Sequence, residues 1–150
     1  VQAIGKIGAI FSMRGIDACS KCADSKLMEA LVDRAVNALD GAFVFANFVE
    51  FDTAYGHRRD VSGYARHLEW FDSQLPRVFA HLKPDDLLIV TADHGNDPTW
   101  HGTDHTRERV PVLIHCGKRG DFGVVDFCDM AATVAAHLGV VHDGPGKSLL

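Results

Sequence analysis

Apolar residues recur at helical spacing in three stretches of the sequence, residues 25–39, 61–82 and 126–138. They repeat every three or four positions, as in an amphipathic helix that packs one face on a core. An Asp or Ser begins or precedes each stretch, which is a usual start signal for a helix. We predict three helices, the second of them kinked or divided by Pro76. The side chains predicted to face the core are Leu27, Leu31, Ala35 and Leu39 in the first, Tyr64, Leu68, Phe71, Leu75, Phe79 and Leu82 in the second, and Phe127, Met130, Ala131, Val134 and Leu138 in the third.

Short apolar runs at residues 42–51, 87–92 and 110–115 predict three β-strands, the first two of them buried on both faces. Residues 1–10 add a short β-prone run, and residues 11–23 are predicted to form a loop. The alternation of strands and helices predicts an α/β fold with a mostly parallel sheet and helices on both faces. Because no linker or repeat interrupts this order, we predict one domain.

The composition is that of a globular protein, and it argues against two classes of partner. The 150 residues are 47% hydrophobic and 23% charged, with a formal net charge of -5. No basic run exceeds two residues, which argues against a nucleic-acid surface. No apolar segment approaches the roughly 20 residues of a membrane span, and the first residues lack the features of a signal peptide. We therefore predict a cytoplasmic protein with neither a nucleic-acid nor a membrane partner.

The four cysteines do not form a recognisable site. Cys19 and Cys22 make an isolated C-x-x-C pair in a polar stretch. A zinc site needs a second pair at ligand spacing, and Cys116 and Cys128 do not supply one. We interpret Cys19 and Cys22 as incidental loop cysteines, with zinc binding and redox chemistry as alternatives, and the other two as small core residues.

Acidic and histidine side chains follow two of the predicted strands. Asp52 and His57 come after the first strand, Asp93 and His94 come after the second, and His105 follows in a polar loop. Open α/β sheets place their sites at the carboxyl ends of strands, and Asp with His is a typical ligand mixture for a borderline divalent metal. We predict a metal site, because burying these carboxylates without a counter-charge is costly. The alternative is a structural ion-pair network with Arg58, Arg59 or Arg107.

The remaining histidines receive weaker assignments. His101 lies in the turn between His94 and His105, and we favour a surface or supporting role for it over direct ligation. His67 and His81 fall away from the apolar stripe of the second helix and are predicted to face solvent. Arg58, Arg59 and Asp60 form a hypothetical outer layer that orients His57; a helix cap and solvent-facing arginines are the alternative. His115, His137 and His142 are treated as ordinary core or surface groups.

Three motifs together resemble the phosphopentomutase family of the alkaline phosphatase superfamily. They are Asp52-x-x-x-x-His57 followed by Arg58-Arg59-Asp60, TADHGNDP at residues 91–98, and GTDHTRE-x-VP at residues 102–111. The TADHGN piece alone is less specific, because cofactor-independent phosphoglycerate mutases carry a similar one. The likeness runs over nearly all 150 residues and corresponds to the C-terminal part of that family.

The resemblance implies an alkaline-phosphatase-like core and two divalent metal ions, which are typically Mn²⁺ in this family. It implies that Asp52, His57 and His105 hold one ion, and that Asp93 and His94 help to hold the other. It implies a phosphate contact for Lys6 in the GKI motif, against the alternative of a solvent-facing lysine. The implied substrate is a small sugar phosphate: ribose or 2-deoxyribose 1-phosphate is interconverted with the 5-phosphate through a phosphothreonine. The oligomeric state stays open.

Some features of the family are not matched. Its nucleophilic Thr, its first metal-binding Asp and its cap domain have no counterpart here, and Ala9 stands where an acid is common. We therefore expect residues 1–150 to be the C-terminal portion of a metal-binding core, inactive alone and only partly occupied by metal. A phosphoglycerate mutase or other phosphotransferase of the superfamily is one alternative. A non-catalytic metal-binding module is another.

Overall fold

A computed structural model describes residues 1–117 and 119–150 of the chain. These residues divide into two compact units, one formed by Val1–Lys83 with Val90–Leu113 and the other by Pro84–Ile89 with Ile114–Leu150. None of the helices in the described part of the chain is long and apolar enough to cross a membrane.

The α/β class and the parallel sheet are confirmed. Strand β1 pairs in parallel with both β2 and β3, in the order β2-β1-β3, and Gln2 lies opposite Ala18 on one side and Val44 on the other. Strands β4 and β5 form a second sheet. The elements in chain order are β1 (Gln2–Ile4), α1 (Ile7–Ile10), β2 (Ala18–Ser20), α2 (Asp24–Asn37), β3 (Val44–Ala46), a π-helix (Phe51–Gly56), α3 (Val61–Phe79), β4 (Leu88–Thr91), β5 (Val112–His115) and α4 (Asp129–Leu138).

The core of the first unit lies around the central strand β1. Burial of apolar side chains from this strand and from α1, α2 and α3 supplies the main driving force for folding. Gly5 directly follows the strand at φ +87°, and a Cβ there would lie 3.1 Å from the carbonyl carbon of Asn47 and closer still to its oxygen. Only glycine fits this close approach. The buried apolar side chains of this unit are Ala3, Ile4, Ile7, Leu27, Met28 and Val78.

Two predicted segments differ from the structure at strand level. The predicted loop at residues 11–23 contains β2, so Cys19 lies in a strand. The predicted strand at residues 42–51 pairs only over Val44–Ala46, and Phe45 is 39% exposed, so this strand is not buried on both faces. Three-residue strands are too short for an alternating pattern to identify them.

Helix α3 runs unbroken through Pro76, so the predicted division of this helix is wrong. Pro76 lies in the last turn, where the loss of one backbone hydrogen bond has little left to disrupt. The buried face also differs from the predicted stripe. Leu68 is exposed, whereas His67, predicted to face solvent, is only 8% exposed. The reason is a buried partner for its imidazole, described below.

Helix α4 also buries a different face from the predicted one. Phe127 is 65% exposed, whereas Asp129 and Thr133 are buried. The Asp129 carboxylate accepts the backbone N–H of Lys147, and the Thr133 hydroxyl accepts that of Leu149. The polar side chains therefore face inward, because they bind the backbone of the last residues of the chain.

Candidate metal centre

The π-helix sets the positions of Asp52 and His57. The backbone N–H of His57 donates to the carbonyl of Asp52 over 2.9 Å, which is the five-residue spacing that defines this helix. Its wide turn leaves Nε2 of His57 3.3 Å from Oδ2 of Asp52. Single π-turns of this kind are frequent at functional sites.

A returning loop brings His94 and His105 together. The backbone N–H of Thr106 donates to the carbonyl of Gly95 over 3.1 Å, and this antiparallel bridge closes the loop between them. The imidazoles of His94 and His105 consequently stack with ring centroids 3.7 Å apart. At Gly95, a Cβ would lie 3.0 Å from the carbonyl oxygen of Thr106, so glycine permits this close return.

Asp52 lies at the centre of the cluster. Its Oδ1 is 3.2 Å from Nε2 of His105, while its Oδ2 faces His57. Ligand atoms of Asp52, His94 and His105 all lie within 4.8 Å of one another. The ring of His57 is 4.8 Å from that of His105. One carboxylate and three imidazoles from two distant segments therefore converge.

The hydrogen bonds of two imidazoles fix which nitrogen is free. Nδ1 of His57 contacts the carbonyl oxygen of Thr103, and Nδ1 of His94 lies 3.2 Å from the carbonyl oxygen of Gly95. A carbonyl only accepts, so we assign the N–H to Nδ1 in both rings. In the neutral rings Nε2 then carries a lone pair, and in His57 this nitrogen faces Oδ2 of Asp52. Two acceptors at this separation repel each other unless a cation or a proton lies between them.

This donor set fits a divalent metal. Imidazole and carboxylate are the ligands preferred by borderline first-row ions. Ligating imidazoles commonly donate their other N–H to a backbone carbonyl, which holds the ring in place. At His57 and His94, Nδ1 faces a backbone carbonyl oxygen, which leaves Nε2 available to a metal.

Asn96 is a site residue that the sequence reasoning missed. It is 9% exposed, and its Nδ2 donates to Oδ1 of Asp52 over 2.6 Å. A Cβ on Gly56 would lie 2.7 Å from Cγ of Asn96, so this glycine makes room for the amide. The available signal was position, since Asn96 lies only two residues after His94 in the same loop.

Arg59 ties the two segments of the site together. The backbone of Arg59 lies in the left-handed region, at φ +55°. Its guanidinium donates to Oδ1 of Asn96 over 2.7 Å and to the carbonyl of Gly56 over 3.1 Å. It also donates to three loop carbonyls, those of Asp97, Gly102 and Asp104, at 2.8, 2.6 and 2.6 Å. The fork of a guanidinium suits such multiple contacts. These bonds go to Asn96 and to backbone carbonyls, so an outer layer that orients His57 stays a hypothesis. Arg58 is exposed, and Asp60 caps α3 by accepting the N–H of Gly63.

Two further side chains show the electrostatics of the site. Burial raises the pKa of the Tyr64 hydroxyl, and the charge of Asp52 acts in the same direction. Hydrogen bonds from the hydroxyl and the backbone N–H of Thr99 lower the pKa of Asp97. The Asp97 carboxylate is thereby held within the loop, while its backbone N–H donates to the Thr106 hydroxyl over 2.6 Å.

Asp93 and Lys6 lie apart from the Asp52 cluster. The Asp93 side chain is 69% exposed, and its Oδ1 is 3.7 Å from Nε2 of His94. Lys6 is exposed after β1, and its amine makes no hydrogen bond or ion pair with the described residues. The roles of Asp93 and Lys6 stay predictions from the resemblance.

Other predicted positions are resolved more simply. His101 is exposed and its ring lies 4.6 Å from that of Trp100, in agreement with a surface role. His81 is exposed, as predicted. All four cysteines are free thiols.

Comparisons with known proteins point in the same direction as the geometry. The sequence profile of the Metalloenzyme superfamily matches residues 6–142. The chain is 53% identical to the phosphopentomutase of Rhizobium rhizogenes, 52% identical to that of Rhizobium meliloti and 48% identical to that of Pectobacterium carotovorum. Each comparison covers 100% of this chain but 38% of the relative, so the chain spans well under half the length of these relatives.

Proposed function

The chain belongs to the Metalloenzyme superfamily, and we propose that it is the C-terminal, metal-binding portion of the core of a phosphopentomutase. The observation that carries the proposal is the Asp52 carboxylate, which lies within 3.3 Å of two imidazole nitrogens. The imidazole of His57 presents a free lone pair to it, because its Nδ1 faces a carbonyl. A cation is the simplest partner for both groups.

The proposed ligands follow the motifs of the family resemblance. Asp52, His57 and His105 hold one divalent ion, and Asp93 with His94 contributes to a second. Such ions stabilise the negative charge of a phosphoryl group during in-line transfer. Mn²⁺ as the native metal and a cytoplasmic location both stay predictions from the sequence.

The proposed reaction moves a phosphoryl group between the 1- and 5-oxygens of ribose or 2-deoxyribose. Within this chain, the carboxylates and imidazoles hold the metal ions. Asn96, itself bound by Arg59, keeps the Asp52 carboxylate in position. Lys6 contributes a point charge for a phosphate of the substrate. We assign the phosphothreonine to no threonine of this chain, because none lies in the motif that the family uses.

The test is an assay of the full reading frame that encodes this chain. With Mn²⁺ present, we expect ribose 5-phosphate to be converted to ribose 1-phosphate and 3-phosphoglycerate to remain unchanged. The Asp52→Asn variant should lose this conversion, and Asp33→Asn, on the exposed surface of α2, should keep it. Isomerisation of 3-phosphoglycerate alone would refute the proposal in favour of a phosphoglycerate mutase.

A further inference from the structure

A second polar cluster lies beside the start of the π-helix and is formed by Asp24, Glu50 and His67. Asp24, at the start of α2, is fully buried, and Nε2 of His67 in α3 lies 3.0 Å from its Oδ2. Glu50 completes the cluster and accepts the backbone N–H of Asp24 over 3.3 Å. None of these residues belongs to the metal ligands assigned above.

The Asp24 carboxylate holds the backbone that enters the π-helix. Its Oδ1 accepts the N–H of Val49, and its Oδ2 accepts the N–H of Glu50, both over 3.1 Å. The carbonyl of Val49 in turn accepts the backbone N–H groups of Asp52 and Thr53, at 3.2 and 2.9 Å. A short chain of hydrogen bonds therefore runs from Asp24 through Val49 to the backbone of Asp52.

The imidazole of His67 packs on the π-helix itself. Its ring lies 4.4 Å from that of Phe51 and 5.0 Å from that of Tyr55. These two residues are the first and the fifth of the six residues of the π-helix, so His67 contacts both ends of this helix. Trp70 stacks on the same imidazole at 4.8 Å and fixes the ring plane.

The cluster of Asp24, Glu50 and His67 is not arranged to bind a further metal ion. Both oxygens of Asp24 already accept hydrogen bonds, from two backbone N–H groups and from His67. Three of the roughly four acceptor positions of the carboxylate are therefore occupied, which leaves little capacity for a cation. The geometry instead suits a fixed support.

We propose that Asp24 and His67 are positioning residues that hold the π-helix in the shape that places Asp52 and His57 at the metal centre. The inference deepens the proposed function and rests on it, because the metal ligands are those proposed above. The support acts on the backbone of the π-helix whether or not metal is bound, so it holds in the apo protein as well.

The test compares His67→Phe with two other variants, each made in the protein encoded by the full reading frame. Phenylalanine keeps an aromatic ring against Phe51 and Tyr55 but removes the donor to Asp24, whereas His67→Gln keeps a donor. Val78→Ala, at a buried position in the same helix, is the control for general loss of stability. Two quantities are measured in each protein: Mn²⁺ affinity by calorimetric titration, and hydrogen–deuterium exchange of the amides at residues 51–57.

We expect His67→Phe to speed exchange at residues 51–57 several-fold and to weaken Mn²⁺ binding by about 10-fold or more, as the loss of a ligand-orienting contact does. Val78→Ala should lower the melting temperature as much as His67→Phe does but change neither the exchange nor the Mn²⁺ affinity. His67→Gln should lie between His67→Phe and the wild type in both quantities. Unchanged exchange in His67→Phe, or equal effects in Val78→Ala, overturns the positioning role. If the wild-type protein binds no Mn²⁺, the proposed metal centre fails instead, and the exchange data alone decide the role of His67 and Asp24.

Discussion

The side-chain amide of Asn96 joins the two halves of the metal centre, donating to Oδ1 of Asp52 over 2.6 Å while its carbonyl accepts from Arg59 over 2.7 Å. Asp52 comes from the π-helix and Asn96 from the loop that carries His94 and His105. The orientation of the central carboxylate therefore depends on a residue that does not itself belong to the ligand set. Such supporting contacts commonly control metal affinity.

Removing this amide should weaken metal binding without unfolding the protein. In Asn96→Ala, Asp52 loses its donor, and we expect the Kd for Mn²⁺ to rise about 10- to 100-fold. Calorimetric titration of the metal-free protein encoded by the full reading frame measures the change. Asn37→Ala, at an exposed position in α2, is the matched control and should bind Mn²⁺ like the wild type. An affinity in Asn96→Ala equal to that of the control would contradict the role of Asn96.

Gly56 should tolerate no larger side chain. The Cβ of Gly56→Ala would lie 2.7 Å from Cγ of Asn96, which forces the buried amide away from Asp52. We expect a loss of about 1–3 kcal/mol in the free energy of unfolding, typical of overpacking, together with weaker Mn²⁺ binding. Urea denaturation measures the first effect. Gly120→Ala, which has open space around its Cβ, should change neither quantity.

Arg59 should not be replaceable by lysine. The guanidinium serves four backbone carbonyls and the Asn96 oxygen, and a lysine amine has only three donors. We expect Arg59→Lys to lower the free energy of unfolding by about 1–3 kcal/mol and to expose the loop at residues 96–104 to proteolysis. Arg58→Lys, at the exposed neighbouring position, is the control. Equal protease resistance in the two variants would show that Arg59 does not hold the loop.

The acid stability of the second unit should depend on Asp129. The backbone N–H of Lys147 lowers the pKa of Asp129 from its ordinary value of 3.8. A lowered pKa in the folded state means that the ionised carboxylate stabilises the fold at pH values above 3.8 and that this contribution is lost as the pH falls through the folded pKa. We expect Asp129→Asn to be less stable than the wild type at neutral pH and the difference to shrink in acid. Urea denaturation from pH 7 to pH 2 checks this, and a difference independent of pH would contradict it.

The residues that converge at the centre were predictable from their position after two apolar runs, although the strands in those runs, β3 and β4, belong to different sheets. Asp52, His57, His94 and His105 all follow one of these runs or the loop after it, and the structure brings all four together. The long apolar periodicities also predict the presence of α2 and α3, because many residues contribute to each, although Leu39 and Leu68 of the predicted stripes are exposed.

The supporting residues were not predictable, because their burial depends on partners distant in the sequence. His67 has the local pattern of a solvent-facing residue, but Asp24, 43 positions earlier, draws it into the interior. Asn96 and Arg59 likewise acquire their roles only when the π-helix and the loop meet. No local pattern identifies the π-helix, since its register depends on the backbone hydrogen bonds of Val49 and Asp52.

The metal centre is tested most directly by anomalous X-ray diffraction at the manganese edge. The crystals are of the protein encoded by the full reading frame and are grown with Mn²⁺. We expect an anomalous peak within bonding distance of the Asp52 carboxylate and of Nε2 of at least two among His57, His94 and His105. No peak at this cluster at saturating Mn²⁺, or a peak only beside Asp24 and Glu50, would contradict the assignment of Asp52 as the central metal ligand.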